Sequence, residues 1–120
     1  MFLNIYFFAE TGTVPVSILL ELKIKPFSKS GKLLTDIIKL SYCDIELLEN
    51  MNDVYLVMSR EKSCKPEKIR SSLRSIIRTV NRFATYQTLQ SIFLIKSYDI
   101  NNVLSPYQFV NGLVSYLKND

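Results

Sequence analysis

The sequence has no histidine, only two cysteines, three glycines and four prolines, and no long apolar run. Without histidine, a general base near neutral pH would have to be a shifted carboxylate, lysine or cysteine, and no pattern in the chain points to such a shift. With Cys43 and Cys64 the only thiols, a structural zinc site would need carboxylates to complete it, against that metal's preference for sulfur and nitrogen. A disulfide between them is unsupported in a domain of this size, since reducing compartments keep thiols free. Both are read as buried or half-buried small hydrophobes. No stretch approaches the roughly 18 apolar residues of a membrane helix. The N-terminal Met-Phe-Leu-Asn-Ile-Tyr-Phe-Phe lacks a positive region, is interrupted by Asn4 and is followed by Glu10, so it does not read as a secretion signal. The protein is expected to be soluble, intracellular and cytoplasmic. Ser28 to Lys32 contains a Ser-Gly-Lys triplet, but the upstream glycine and following Ser or Thr of a phosphate-binding loop are missing. Alternating exposed aromatics beside glycine, as in strand-type RNA-binding motifs, are also missing, so the aromatics are assigned to the core. These absences predict a non-catalytic chain with no cofactor and no metal.

What is present fits one globular domain spanning 1–120: 48% of residues are hydrophobic and 22% charged. Residues 2 to 9 (FLNIYFFA) have the aromatic and β-branched character of a strand. Val16 to Lys23 suits a short helix or a strand, with the helix preferred, and Lys25 to Lys32 is a loop with Pro26 and Gly31 at its turns. The β-branched Thr35, Ile37 and Ile38 favour a strand over Leu33 to Tyr42. Compact apolar runs at Asp53 to Ser59 and Ser91 to Lys96 predict two further buried strands. Asp44, Glu46 and Glu49 read as a solvated turn and short helical face.

Pro66 to Phe83 carries the strongest helix signal. Proline suits the first helical position, Glu67 complements the dipole, and Ile69, Leu73, Ile76, Ile77, Val80 and Phe83 form one apolar stripe. A last helix opens at Ser105-Pro-Tyr-Gln108 with a capping box. It buries Phe109, Val110, Leu113, Val114 and Leu117, and Gly112 allows a close approach. Strand, helix, strand, helix from residue 53 predicts a parallel β-α-β unit, hence an α/β domain with a mixed, mostly parallel sheet and flanking helices.

Positive charge is concentrated in one place. Arg60, Lys62, Lys65, Lys68, Arg70, Arg74, Arg78 and Arg82 are eight of the fifteen basic residues, against only Glu61 and Glu67 in the same segment, a formal +6. On a helix, Arg70, Arg74, Arg78 and Arg82 form a row that drifts by about 40° per step. Like charges at this spacing mildly destabilise a helix. The row is therefore a solvated rim whose aliphatic stems cover the core edge, a set of interface salt bridges, or a set of nucleic-acid contacts.

The order of pieces, VSILLEL, SGKLLT, DVYLVMS, EKIRSSLRSIIRTVNRF, SIFLIK and YQFVNGLVSYLKND, resembles the N-terminal non-catalytic domain of the cytosolic leucyl aminopeptidase family. That resemblance implies a macro-like α/β fold and a role in assembly, with the peptidase metals carried elsewhere. No functional residue transfers from it. The function it implies is a protein-interaction or assembly domain, with a protein partner or homo-oligomer. The alternatives are a nucleic-acid-binding module using helix 66–83, or one part of a split metalloaminopeptidase.

Overall fold

The computed structural model describes residues 15–93 and 104–119, and among these every regular element is a helix. In chain order they are α1 (Val16–Glu21), α2 (Lys29–Cys43), a 3-10 turn (Ile45–Glu49), α3 (Met51–Lys62), α4 (Pro66–Phe83), α5 (Tyr86–Phe93) and α6 (Pro106–Asn119). The expected α/β, macro-like sheet is therefore wrong. The resemblance to the aminopeptidase N-terminal domain and the assembly and split-peptidase roles derived from it go with it. The strand read at 2–9 lies outside the described residues.

Two supposed strands, and the described part of a third, fail for one physical reason: a short apolar run fits either period, and burial decides which is used. In α2 the buried positions are Leu34, Ile37, Ile38 and Ser41, a helical three-and-four spacing. In α3 a strand would put residues 54, 56 and 58 on one face. Instead Val54, Tyr55, Met58 and Ser59 are buried, while Leu56 is 43% exposed. Of the run at 91–96, residues 91–93 form the end of α5, whose buried residues are Leu89 and Ile92, three apart, and 94–96 lie outside the described residues. Tertiary burial overrides the weak β preference of Thr35, Ile37 and Ile38. The buried Ser41 and Ser59 hydroxyls donate to the carbonyls of Ile37 and Leu56, at 2.8 and 2.7 Å, so neither costs an unpaired polar group.

The helix ends show how the sequence punctuates the chain. The α6 box forms as expected: Gln108 N–H donates to Ser105 Oγ (3.1 Å) and Ser105 N–H to Gln108 Oε1 (2.9 Å). Ser28 Oγ caps α2 by accepting from Gly31 N–H, 3.1 Å away. Gly31 is buried there because any Cβ would strike the carbonyl oxygens of Lys25 and Pro26. This pins the α1–α2 loop across the first turn of α2. At the end of α1, Lys23 and Ile24 N–H donate back to Leu20 and Leu19 in a Schellman arrangement, with Lys23 left-handed at φ 63°.

The core is continuous from α1 to α6. Leu34, Ile37, Val54, Met58, Leu73, Phe109, Leu113 and Leu117 are all fully buried within it. Residue α6 positions Phe109, Val110, Leu113, Val114 and Leu117 pack as the sequence requires, against α2, α4 and α5. Phe93 stacks on Phe109 with ring centroids 5.4 Å apart, and a Cβ on Gly112 would come within 2.6 Å of the Phe93 ring. On α4 the stripe is buried through Val80, but Phe83, expected inside, is 57% exposed. Among the described residues, no helix is long and apolar enough to cross a membrane.

Candidate functional site

α3 and α4 are the most intimately packed pair of helices, and only Ser63, Cys64 and Lys65 separate them. Ser63 adopts the left-handed conformation (φ 54°, ψ 47°), and Cys64 N–H returns to the Ser59 carbonyl (3.0 Å), turning the chain sharply. Pro66 then opens α4 at a position where its missing N–H costs nothing. A three-residue turn holding one left-handed residue joins the two helices, a length found in helical hairpins and in helix-turn-helix units alike. Cys64 is half-buried and packs on the core, as read from the sequence, whereas Cys43 is exposed. A side chain in the left-handed region costs about 1 kcal/mol, so Ser63→Gly is expected to raise unfolding stability by roughly that amount. Urea denaturation measures it, and a loss of stability would show that the Ser63 side chain contributes more than its backbone strain costs.

At about 3.6 residues per turn, the buried ridge Ile69, Leu73, Ile76, Ile77 and Val80 leaves Glu67, Ser71, Ser75, Arg78 and Arg82 on the opposite side. Arg70 and Arg74 border this outward strip on one flank, Lys68 and Thr79 on the other, and all nine are exposed. Long cations thus alternate with short hydroxyl side chains on one open face.

The structure separates the eight basic residues singled out by the sequence. Arg60 and Lys62 lie in the last turn of α3, where they complement the helix dipole, and Lys62 also forms an ion pair with Asp36 of α2. Lys65 precedes α4 in the turn. The Arg82 guanidinium sits 5.2 Å from the centroid of the Phe83 ring. Lys68, Arg70, Arg74 and Arg78 remain on the outward half of α4, and among the described residues none of the four pairs with a carboxylate. Salt bridges among the described residues therefore do not account for the row.

Arg70 and Arg74 stand near Tyr55 of α3: burial raises the Tyr55 phenol above its ordinary value, and these two cations pull it back. A cleft of about 260 Å³ lies beside them, lined by Asn52, Tyr55 and Leu56 of α3 and by Pro66, Glu67 and Arg70 of α4. A second, of about 290 Å³, runs along Arg74, Ile77 and Arg78 to Leu104 and Pro106 at the start of α6.

The sequence reading missed one part of this surface. Lys23 and Lys25 of the α1–α2 loop lie some fifty positions before Ser75 and Thr79 of α4, yet they line a common cleft with them. The available signal was four lysines and no acid between residues 23 and 32. Among the described residues, no group of His, Cys, Asp and Glu side chains is placed to hold a metal ion.

Compared with known proteins, the chain matches no family model, no curated protein and no solved structure. Fold and surface alone define its class: a small helical domain in which a three-residue turn joins α3 to α4, whose outward face carries cations without carboxylate partners among the described residues.

Proposed function

We propose that this domain binds duplex DNA, with α4 as the helix presented to the major groove. The observation that carries the reading is the outward face of α4: arginines without carboxylate partners among the described residues, interleaved with serines, on the second helix of a three-residue-turn pair. An α-helix fits the major groove of B-form DNA, whereas the deep, narrow major groove of duplex RNA does not admit it. In helix-turn-helix docking, the arrangement proposed for α3 and α4, the N-terminal part of the second helix faces base edges. Here that part carries Glu67, Ser71 and Arg74. Arginine reads guanine and glutamate accepts from the cytosine amino group. Arg70 and Arg78 then suit the phosphates on either side. The domain would work inside the cell, where its nucleic acid lies.

Salt tests the reading. For about four neutralised phosphates, affinity for a short generic duplex falls roughly 100-fold between about 50 and 200 mM salt. Fluorescence anisotropy of a labelled duplex measures this. No binding at the lower salt overturns the proposal, and capture of an acidic protein surface by the same face would then explain the arginines.

A further inference from the structure

We propose that the cleft between the α1–α2 loop and α4 is a phosphate clamp that fixes α4 in register on its duplex. This inference rests on the reading of α4 above and assigns that site a second, sequence-distant half.

The cleft, of about 230 Å³, is lined by Lys23, Lys25, Ser28, Ser30, Ser75 and Thr79, with Ile24 and Ile76 at its floor. Its polar lining suits an anion, because it comes from two lysines and four hydroxyl residues with no carboxylate. Two hydroxyls are already committed: Ser28 Oγ to the α2 cap and the Lys25 carbonyl, and Thr79 Oγ1 to the Ser75 carbonyl. Lys23, Lys25, Ser30 and Ser75 are left to meet a ligand, and among the described residues neither lysine pairs with an acid. The α2 N-terminus beside the cleft adds a favourable field for negative charge.

The cleft is also rigidly placed. Gly31 lets the loop carbonyls lie against α2, and the buried Ile24 and Ile76 tie the loop to α4. Ser75 lies on the outward strip of α4 and Thr79 on the flank away from Arg70 and Arg74, so an anion held here sits at the opposite edge of that strip. Phosphate contacts of this kind fix orientation without reading sequence. A single backbone phosphate held from two elements sets how far α4 rolls into the groove.

Lys23 offers a clean test because its backbone is left-handed. Lys23→Gly removes the cation and relieves the strained conformation, so folding stability should rise while DNA affinity falls. The variants Lys23→Gly, Lys25→Ala and their combination are compared with the unaltered protein on two unrelated duplexes across a salt series. The expected result is a loss of about ten-fold for the double variant at low salt, equal on both duplexes. Its log–log salt slope should shrink by about one, as for one lost phosphate contact. Unchanged affinity and slope in variants that fold overturns the clamp but leaves the role of α4 intact. Absence of duplex binding by the unaltered protein removes both. Inorganic phosphate serves as a second probe, followed through the Ser30 and Ser75 amide resonances. These should stay unmoved where the duplex saturates, and saturation by phosphate alone would assign the cleft to a free anion and overturn the proposal.

Discussion

Replacing Arg74 and Arg78 together by glutamate is expected to lower duplex DNA affinity by roughly 100-fold or more, since each good arginine contact contributes about 1–3 kcal/mol. Reversing the charge also adds repulsion from the phosphates. Folding should barely change. Both side chains are exposed, and neither pairs with a carboxylate among the described residues. Arg74 has an arginine four residues away on each side, Arg70 and Arg78. Such like-charge pairs oppose helix formation by about 0.2–0.5 kcal/mol each. Arg74→Ala alone should therefore melt no lower than the unaltered protein while binding more weakly. Opposite movements of stability and affinity mark a surface kept for a ligand. Anisotropy titrations beside thermal melts supply both readouts, and full affinity in the double glutamate variant would remove α4 from the interface.

The largest effect on folding is expected at Phe109. The ring is fully buried and stacks on Phe93, which in turn covers Gly112 on the same helix as Phe109. Truncation to alanine removes the transfer energy of the ring and leaves a cavity the neighbours fill only in part. Phe109→Ala should then cost about 3–5 kcal/mol. Domains of this size are stable by about 5–15 kcal/mol, so the variant approaches the unfolding threshold. Urea denaturation with an unchanged slope would confirm the loss as one of stability. A cost below about 1 kcal/mol would show that α6 is not anchored through this ring.

The two halves of the chain differ in how openly they announce their structure. From Pro66 to Phe83 every local signal agrees: proline at the first position, an acid in the first turn and an apolar stripe at helical spacing. The α4 boundaries follow directly. Ser105 to Gln108 is equally plain, because a capping box is a contact among four consecutive residues and needs nothing from the rest of the fold. Leu33 to Tyr42 and Asp53 to Ser59 have caps that lie outside the runs themselves, Ser28 in what reads as a loop and Asn50 after the 3-10 turn. Their apolar and β-branched residues satisfy a strand as well as a helix, and only packing on α4 and α6 selects the helix. With those segments misread, the order of elements suggested a sheet protein, and the aminopeptidase likeness followed from that order alone.

The candidate site divides along the same line. Its arginine row was legible because it lies on one continuous helix, where position in sequence gives position on the face. The Ser63 turn was not, since nothing about a serine announces a left-handed backbone. The sequence by itself determined that histidine chemistry is out of reach and that α4 is an amphipathic helix with cations along its outward face. Only the tertiary structure decided that Lys62 is drawn off by Asp36, that α3 and a three-residue turn present α4, and that Lys23 and Lys25 join its surface. The physical reason is distance along the chain: helical spacing relates residues three or four apart, whereas the fifty positions between Lys25 and Ser75 are closed only by burying Ile24 and Ile76.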